Sequence, residues 1–246
     1  MAPSSLTQSV VAEKLIGVAF VSECLIIFTR YPEPGKAKTR LIPALGPRGA
    51  AELHRQMAEY TLAQVRQFRA MRSLSVEVRF VGGDLTQMEG WLGSDLAYKP
   101  QGAGDLGDRM FHACQSAWND GYHSMVILGT DCPELDAALL QKAFQELQQQ
   151  DLVVGPATDG GYYLIGLRQP VPELFQGITW STSTVFQQTL EIAAALGLTI
   201  ACLPTLSDVD QPEDLKIWQR RMGSGARGVE HGGSRGNDFY RHSDFE

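Results

Sequence analysis

Short apolar runs alternate with amphipathic stretches along most of the chain, and this alternation restricts the fold more than any other feature. Cys24–Thr29 ("CLIIFT") reads as a buried strand, after which Leu53, Met57, Tyr60 or Thr61, Val65 and Phe68 recur at helical spacing. In "SVEVRFV", Val76, Val78 and Phe80 alternate with Glu77 and Arg79, the period of a half-buried strand. "LAYK" precedes a helix carrying Leu106, Met110, Cys114 and Ala117 on one face. "SMVILGTD" is a further strand, followed by a helix with Leu139, Leu140, Ala143, Phe144 and Leu147. "DLVVGPA" and "YYLIGL" are strands, Val185 to Leu196 is helical, and "LTIACL" is the last strand before a helix opening at Pro212. Strands and helices alternating in this way predict an α/β fold of three layers, α/β/α, around a mainly parallel central sheet. Ligands of such sheets sit beyond the carboxyl ends of the strands, so the loops there are the places to look for chemistry.

The length of 246 residues suits one large domain, at roughly 150 residues per domain. Residues 1–20 read as an N-terminal extension, 21–222 as a single domain, and 223–246, a mixture of Gly, Ser and both charge signs, as a disordered tail. A net charge of −7 excludes the broad basic face that nucleic acid or an anionic membrane would require. The apolar stretch Leu15–Ser22 is far short of the ~20 residues that cross a bilayer, so no membrane insertion is expected. Cys24, Cys114, Cys132 and Cys202 show no paired or metal-finger spacing, which fits a cytoplasmic protein.

Against this acidic background, "RYPEPGKAKTR" gathers Arg30, Lys36, Lys38 and Arg40 into one loop directly after the first strand. Pro32 and Pro34 stiffen it and Gly35 permits close backbone approach. The cations suit a phosphate or diphosphate, against the plainer alternative of a solvated basic loop. It is not a Walker loop, because Ala37 follows Gly35-Lys36. "GAGDLG" matches the dinucleotide pattern at Gly102, Gly104 and Gly107, but its aspartates stand where a pyrophosphate needs donors. We read Asp105 as a helix N-cap, with Gly104 and Asp105 in a loop lining the nucleotide site and Arg109 one turn inside the helix. "VILGTDCPEL" ends a strand on Asp131, a candidate ligand for Mg²⁺ or Mn²⁺, or else a turn or capping residue. Cys132 reads as a packing residue. "ATDGGYYLIGL" places Asp159 before Gly160 and Gly161, which admit a sugar or acceptor close to the backbone or simply form a turn. In "ITWSTSTV", Trp180 and Ser181 are candidate acceptor contacts, or a core filler and a helix cap. "SDVDQPEDL" offers Asp208 and Asp210, one as N-cap and the other, preferentially Asp210, as a second metal ligand.

"FTRYPEPGKAKTRL", "QGAGDLGDRM", "LGTDCPEL", "PATDGGYYLIGL" and "ITWSTSTV" resemble, in order and spacing, the arsenosugar-biosynthesis type of bacterial glycosyltransferases, over about Cys24 to Arg221. The resemblance implies a GT-A-like nucleotide-diphospho-sugar transferase fold, a nucleotide-sugar donor, a small-molecule acceptor and a divalent metal. On it, Arg30, Lys36, Lys38 and Arg40 hold the diphosphate and Asp131 stands at the metal. Asp131 and Asp159 become the catalytic candidates, Asp159 near the sugar or acceptor. The usual Asp-x-Asp is here Thr130-Asp131-Cys132-Pro133, with one carboxylate. "AKTRL" is also similar to guanylyltransferases that activate phospholactate, and "DVDQPEDL" to the ending of cytidylyl and molybdopterin nucleotidyltransferases. The expectation is therefore glycosyl transfer, with nucleotidyl transfer or non-catalytic nucleotide binding as the alternatives.

Overall fold

The computed structural model describes residues 23–225. The extension at 1–20 and the tail from 226 onward lie outside the described residues; the last helix runs to Gly225, beyond the Gly223 where the tail was expected to begin.

Seven strands form one sheet in the order β3-β2-β1-β4-β6-β5-β7. They are β1 (Glu23–Arg30), β2 (Ser75–Val81), β3 (Ala97–Pro100), β4 (Ser124–Leu128), β5 (Leu152–Pro156), β6 (Tyr162–Leu167) and β7 (Ile200–Cys202). Helices α1 (Ile42–Met71), α2 (Leu85–Leu92), α3 (Leu106–Asn119), α4 (Ala137–Glu146), α5 (Val185–Ala195) and α6 (Leu215–Gly225) accompany them. The expected three-layer, mainly parallel architecture is observed. β1 lies parallel to both β2 and β4, and only β6 runs antiparallel to its neighbours β4 and β5. The reversal has a local cause: only residues 157–161 separate β5 from β6, too few for the crossover that a parallel pair needs. Ala157 N–H donates to Gly161 O at 3.0 Å, closing that turn.

Successive β1 residues face opposite layers, as the strand period demands. Leu25 and Ile27 join Val78, Phe80, Leu62, Phe68 and Phe144 beneath α1 and α4, whereas Cys24 and Ile26 join Met110, Ala113 and Cys114 beneath α3. A third cluster, Leu41, Ala50, Leu53, Met57, Val209 and Trp218, lies at one end of α1. α1 is broken at Gly46 (φ 69°), where Pro47 restarts it with a fixed φ suited to a first turn. α2 was not anticipated; its signal was the reciprocal cap between Asp84 and Gln87. At the start of the last helical segment the expected cap is corrected. Neither Asp208 nor Asp210 takes that place, which belongs to Gln211, paired with Asp214.

Candidate active site

The basic loop leaves β1 through Tyr31, whose N–H donates to Val81 O at 2.9 Å. A turn follows in which Lys36 N–H reaches Glu33 O at 3.0 Å and Gly35 takes φ 81°, a value open to glycine and strained for other residues. Two small or apolar anchors decide where the cations point. Ala37 and Leu41 are buried, Leu41 within the third cluster beside Met57 and Trp218. Between them Lys38 adopts the left-handed conformation (φ 47°, ψ 49°), and its side chain is only 5% exposed, whereas that of Lys36 is 63% exposed and pairs with Glu33 at 2.9 Å.

Two aspartates meet this loop. β4 ends at Leu128, and Asp131 lies three residues on. Lys38 Nζ is 2.9 Å from Asp131 Oδ1 and 3.6 Å from Asp210 Oδ1, and Arg40 Nη1 donates to Asp210 Oδ2 at 2.5 Å. Asp208 and Asp210 flank Val209, which is fully buried in the third cluster and whose N–H donates to Asp131 O at 2.9 Å. That bond stitches the distant acidic segment to the Asp131 loop. The expected convergence of the cationic loop and the Asp131 carboxylate is thus present, and the two groups touch.

Their electrostatics follow from that contact. Burial alone would push the Asp131 carboxyl up, but Lys38 and, more weakly, His54 outweigh it and hold it below the usual carboxylate range. Burial opposes the Lys38 charge as well, yet Asp131 and Asp210 prevail and hold its ammonium above the ordinary lysine value. Asp208 goes the other way: burial pushes it up, and the nearby Asp159 adds to the effect. His54, buried on α1, donates from Nε2 to Arg30 O at 2.9 Å, and burial lowers its pKa. The Cys132 thiol is raised by burial and by Asp131, so it stays protonated, as its reading as a packing residue requires.

The cleft has two connected lobes. The first, about 600 Å³, is lined by Arg30, Lys36, Lys38, Arg40 and Arg109 together with Asp131 and Asp210. The second, about 460 Å³, contains Asp131, Asp159, Asp208 and Asp210 with Trp180 and the hydroxyls of Ser181, Thr182 and Ser183. Arg40, Asp131 and Asp210 belong to both. Asp159 Oδ1 accepts from Gly161 N–H at 2.8 Å, fixing that carboxylate in the turn, and Gly161 lines the second lobe beside it. Trp180 packs over Gly107, where a Cβ would come within 2.7 Å of the indole, and meets Tyr162 edge-on. Ser181 (φ 64°) does not cap α5, whose first turn follows Thr184.

Four expected contacts are not brought to the cleft lining: Gly35, Gly104, Asp105 and Gly160. Asp105 is instead the α3 N-cap, accepting from Asp108 N–H at 2.9 Å, and a Cβ on Gly104 would strike the Asp108 side chain. Gly160 shapes the turn, with a Cβ position only 2.1 Å from Ser183 O. The structure adds Gln101, His54 and Thr130 to the first lobe and makes Arg109 a full member of it. Gln101 Nε2 donates to Thr29 O at 3.1 Å and Arg79 O at 3.2 Å across the strand ends. A polar residue right after a strand was the available signal for Gln101; for His54, buried in mid-helix, there was none.

Residues 62–182 match a family described as "Uncharacterized protein conserved in bacteria (DUF2064)". A solved protein of Desulfovibrio desulfuricans G20, provisionally described as a nucleotide-diphospho-sugar transferase, is 38% identical, with 80% of this chain and 86% of that one aligned at a TM-score of 0.73. The chain belongs to the same family as this Desulfovibrio protein. The chain is also similar to a phosphoenolpyruvate guanylyltransferase of Chloroflexus aggregans, 26% identical over 186 residues, 73% of this chain and 89% of the relative. The fold also aligns with 4-diphosphocytidyl-2C-methyl-D-erythritol synthase of Anaerococcus prevotii (9% identity, 82% and 98% of the two chains, TM-score 0.56). The chain therefore has the nucleotide-diphospho-sugar transferase-like fold. Among the described residues no helix is long and apolar enough to cross a membrane.

Proposed function

We propose that the protein transfers a glycosyl group from a nucleotide-diphospho-sugar to a small-molecule acceptor. One observation carries the reading: charge is segregated along the cleft. Five cationic side chains line the first lobe, whereas among the described residues Arg40 is the sole cation lining the second, beside four aspartates, an indole and the hydroxyls of Ser181, Thr182 and Ser183. A nucleotide's diphosphate suits the first lobe and an uncharged polyhydroxylated group the second.

In this scheme Arg30, Lys36, Lys38, Arg40 and Arg109 bind the diphosphate and offset the charge that builds on the departing oxygen as the anomeric bond breaks. Asp159 accepts a hydrogen bond, or the proton, from the acceptor hydroxyl. Asp208, whose pKa is pushed up by burial and by Asp159, is the second carboxylate of that lobe able to take a proton. Asp131 and Asp210 offer hard oxygen ligands, and the Lys38 ammonium lying near both marks the point where a cation fits. Among the described residues no three His, Cys, Asp or Glu side chains form a ready-made cage, so waters or phosphate oxygens would complete the shell. A Mg²⁺ or Mn²⁺ held by Asp131 and Asp210 would supply Lewis-acid stabilisation of the leaving diphosphate. The resemblance to the arsenosugar-type glycosyltransferases makes a ribose-derived acceptor the first to try.

The similarity to a phosphoenolpyruvate guanylyltransferase favours a second reading, nucleotidyl transfer with release of pyrophosphate. Its acceptor carries a phosphate and a carboxylate, which four aspartates would repel. Incubation with Mn²⁺ and either nucleotide-sugars or nucleoside triphosphates decides the matter. Free nucleoside diphosphate is expected; pyrophosphate without it would overturn glycosyl transfer. Asp131→Asn should lower turnover by about 10²-fold or more, the scale of losing a transition-state charge contact.

A further inference from the structure

The aspartates proposed to take a metal are already neutralised from within the chain. Asp210 has both oxygens committed, Oδ1 towards Lys38 Nζ at 3.6 Å and Oδ2 to Arg40 Nη1 at 2.5 Å, and Asp131 Oδ1 faces Lys38 Nζ at 2.9 Å. Two carboxylates thus stand against two cations at the junction of the lobes. The Lys38 ammonium is nevertheless buried and, among the described residues, is held by ion pairs to these two carboxylates alone, so its three protons can still serve another acceptor. Its backbone is one of two non-glycine positions with positive φ among the described residues, and the buried Ala37 and Leu41 on either side hold it there.

A divalent ion approaching these carboxylates meets an ammonium already in place, and like charges at such range repel strongly in a partly buried site. A diphosphate presents competing acceptors to the ammonium and the guanidinium, and drawing them over uncovers the carboxylates. We propose that Lys38 and Arg40 form an internal latch on Asp131 and Asp210, so that a divalent cation binds this pair tightly only in company with a diphosphate. By linkage the reverse holds: the aspartates restrain the two cations, and diphosphate binding is weaker in the absence of metal than the loop's charge would allow. The latch rests on the metal assignment of the proposed function, and not on which bond the enzyme breaks.

The test uses the full chain and two probes. Mn²⁺ alone is titrated and its free signal read by electron paramagnetic resonance, and inorganic pyrophosphate is titrated calorimetrically in metal-free buffer. Lys38→Met, which retains an unbranched side chain one atom shorter and without the charge, should bind Mn²⁺ alone at least tenfold more tightly than wild type. Arg40→Gln, at a side chain 60% exposed, should shift Mn²⁺ affinity in the same direction by a smaller factor. Asp131→Asn should bind pyrophosphate several-fold more tightly without metal, because Lys38 is released. Mn²⁺ affinity unchanged or weakened in Lys38→Met, or weaker pyrophosphate binding in Asp131→Asn, overturns the latch. If Lys38→Met does not fold, the other two variants decide on the same criteria. None of these readouts involves turnover, so the latch and glycosyl transfer can fail separately.

Discussion

Two loops leave β1 and β3, the strands on either side of β2, and both carry the charges and glycines of a phosphate site, yet they are used differently. In the loop after β1, buried Ala37 and Leu41 pin the chain on either side of Lys38, and the interior cation has nowhere to go but the cleft. In the loop after β3, the signature residues serve the protein itself: Asp105 and Asp108 cap α3, and Gly107 makes room for Trp180 and Phe175 O. Only its flanks, Gln101, Leu106 and Arg109, line the cleft. Charge in a loop becomes a binding group when apolar neighbours aim it, and a structural group when the backbone claims it first.

That contrast can be broken within the first loop. Lys38→Ala should weaken diphosphate binding by about 10- to 100-fold, the range for one buried charged hydrogen-bond partner, in calorimetric titrations. Lys36→Ala should change it less than about fivefold, since exposed pairs are worth ~1 kcal/mol or less. Equal effects would show that burial does not set the hierarchy. Removing an anchor should act through stability as well. Leu41→Ala is expected to cost about 2–5 kcal/mol in chemical denaturation and to loosen diphosphate binding without touching a charge.

The second loop should respond in the opposite sense. Gly107→Ala places a Cβ 2.4 Å from Phe175 O, so a loss of about 1–3 kcal/mol is expected, with acceptor-lobe ligands affected more than diphosphate. Asp105→Ala should cost about 1 kcal/mol of stability as a lost cap and leave diphosphate affinity unaltered. A large binding defect in Asp105→Ala would restore that loop to the phosphate site.

The smallest effect expected concerns pH. His54 has a folded-state pKa depressed by burial, so its contribution to stability is present above the unfolded value of ~6.5 and is lost as pH falls below it. The melting temperature of the wild type should decline with acidification from about pH 6.5, and His54→Gln, which can keep the bond to Arg30 O, should flatten that limb. An unchanged limb would mean that His54 is not the group titrating.

Much of this was readable before folding. The alternation of apolar runs with amphipathic stretches dictated the layered parallel sheet, because the pattern of burial is written locally at periods of 2 and 3.6. The Asp105 cap and the D-G-G turn were legible for the same reason, as their hydrogen bonds span only a few residues. The antiparallel β6 was implicit in the brevity of that turn. α2 was overlooked although its Asp84–Gln87 cap was in view.

What no linear reading could supply is the meeting of Lys38, Asp131 and Asp210. It depends on the parallel pairing of β1 with β4, and on Val209 burying itself against α1 while its N–H holds Asp131 O. The division of the cleft into a basic and an acidic lobe has the same origin. Charges separated by up to 172 positions acquire their potential only from the distances that packing sets, since Coulomb energy depends on separation in space and on local burial, neither of which is a property of sequence order.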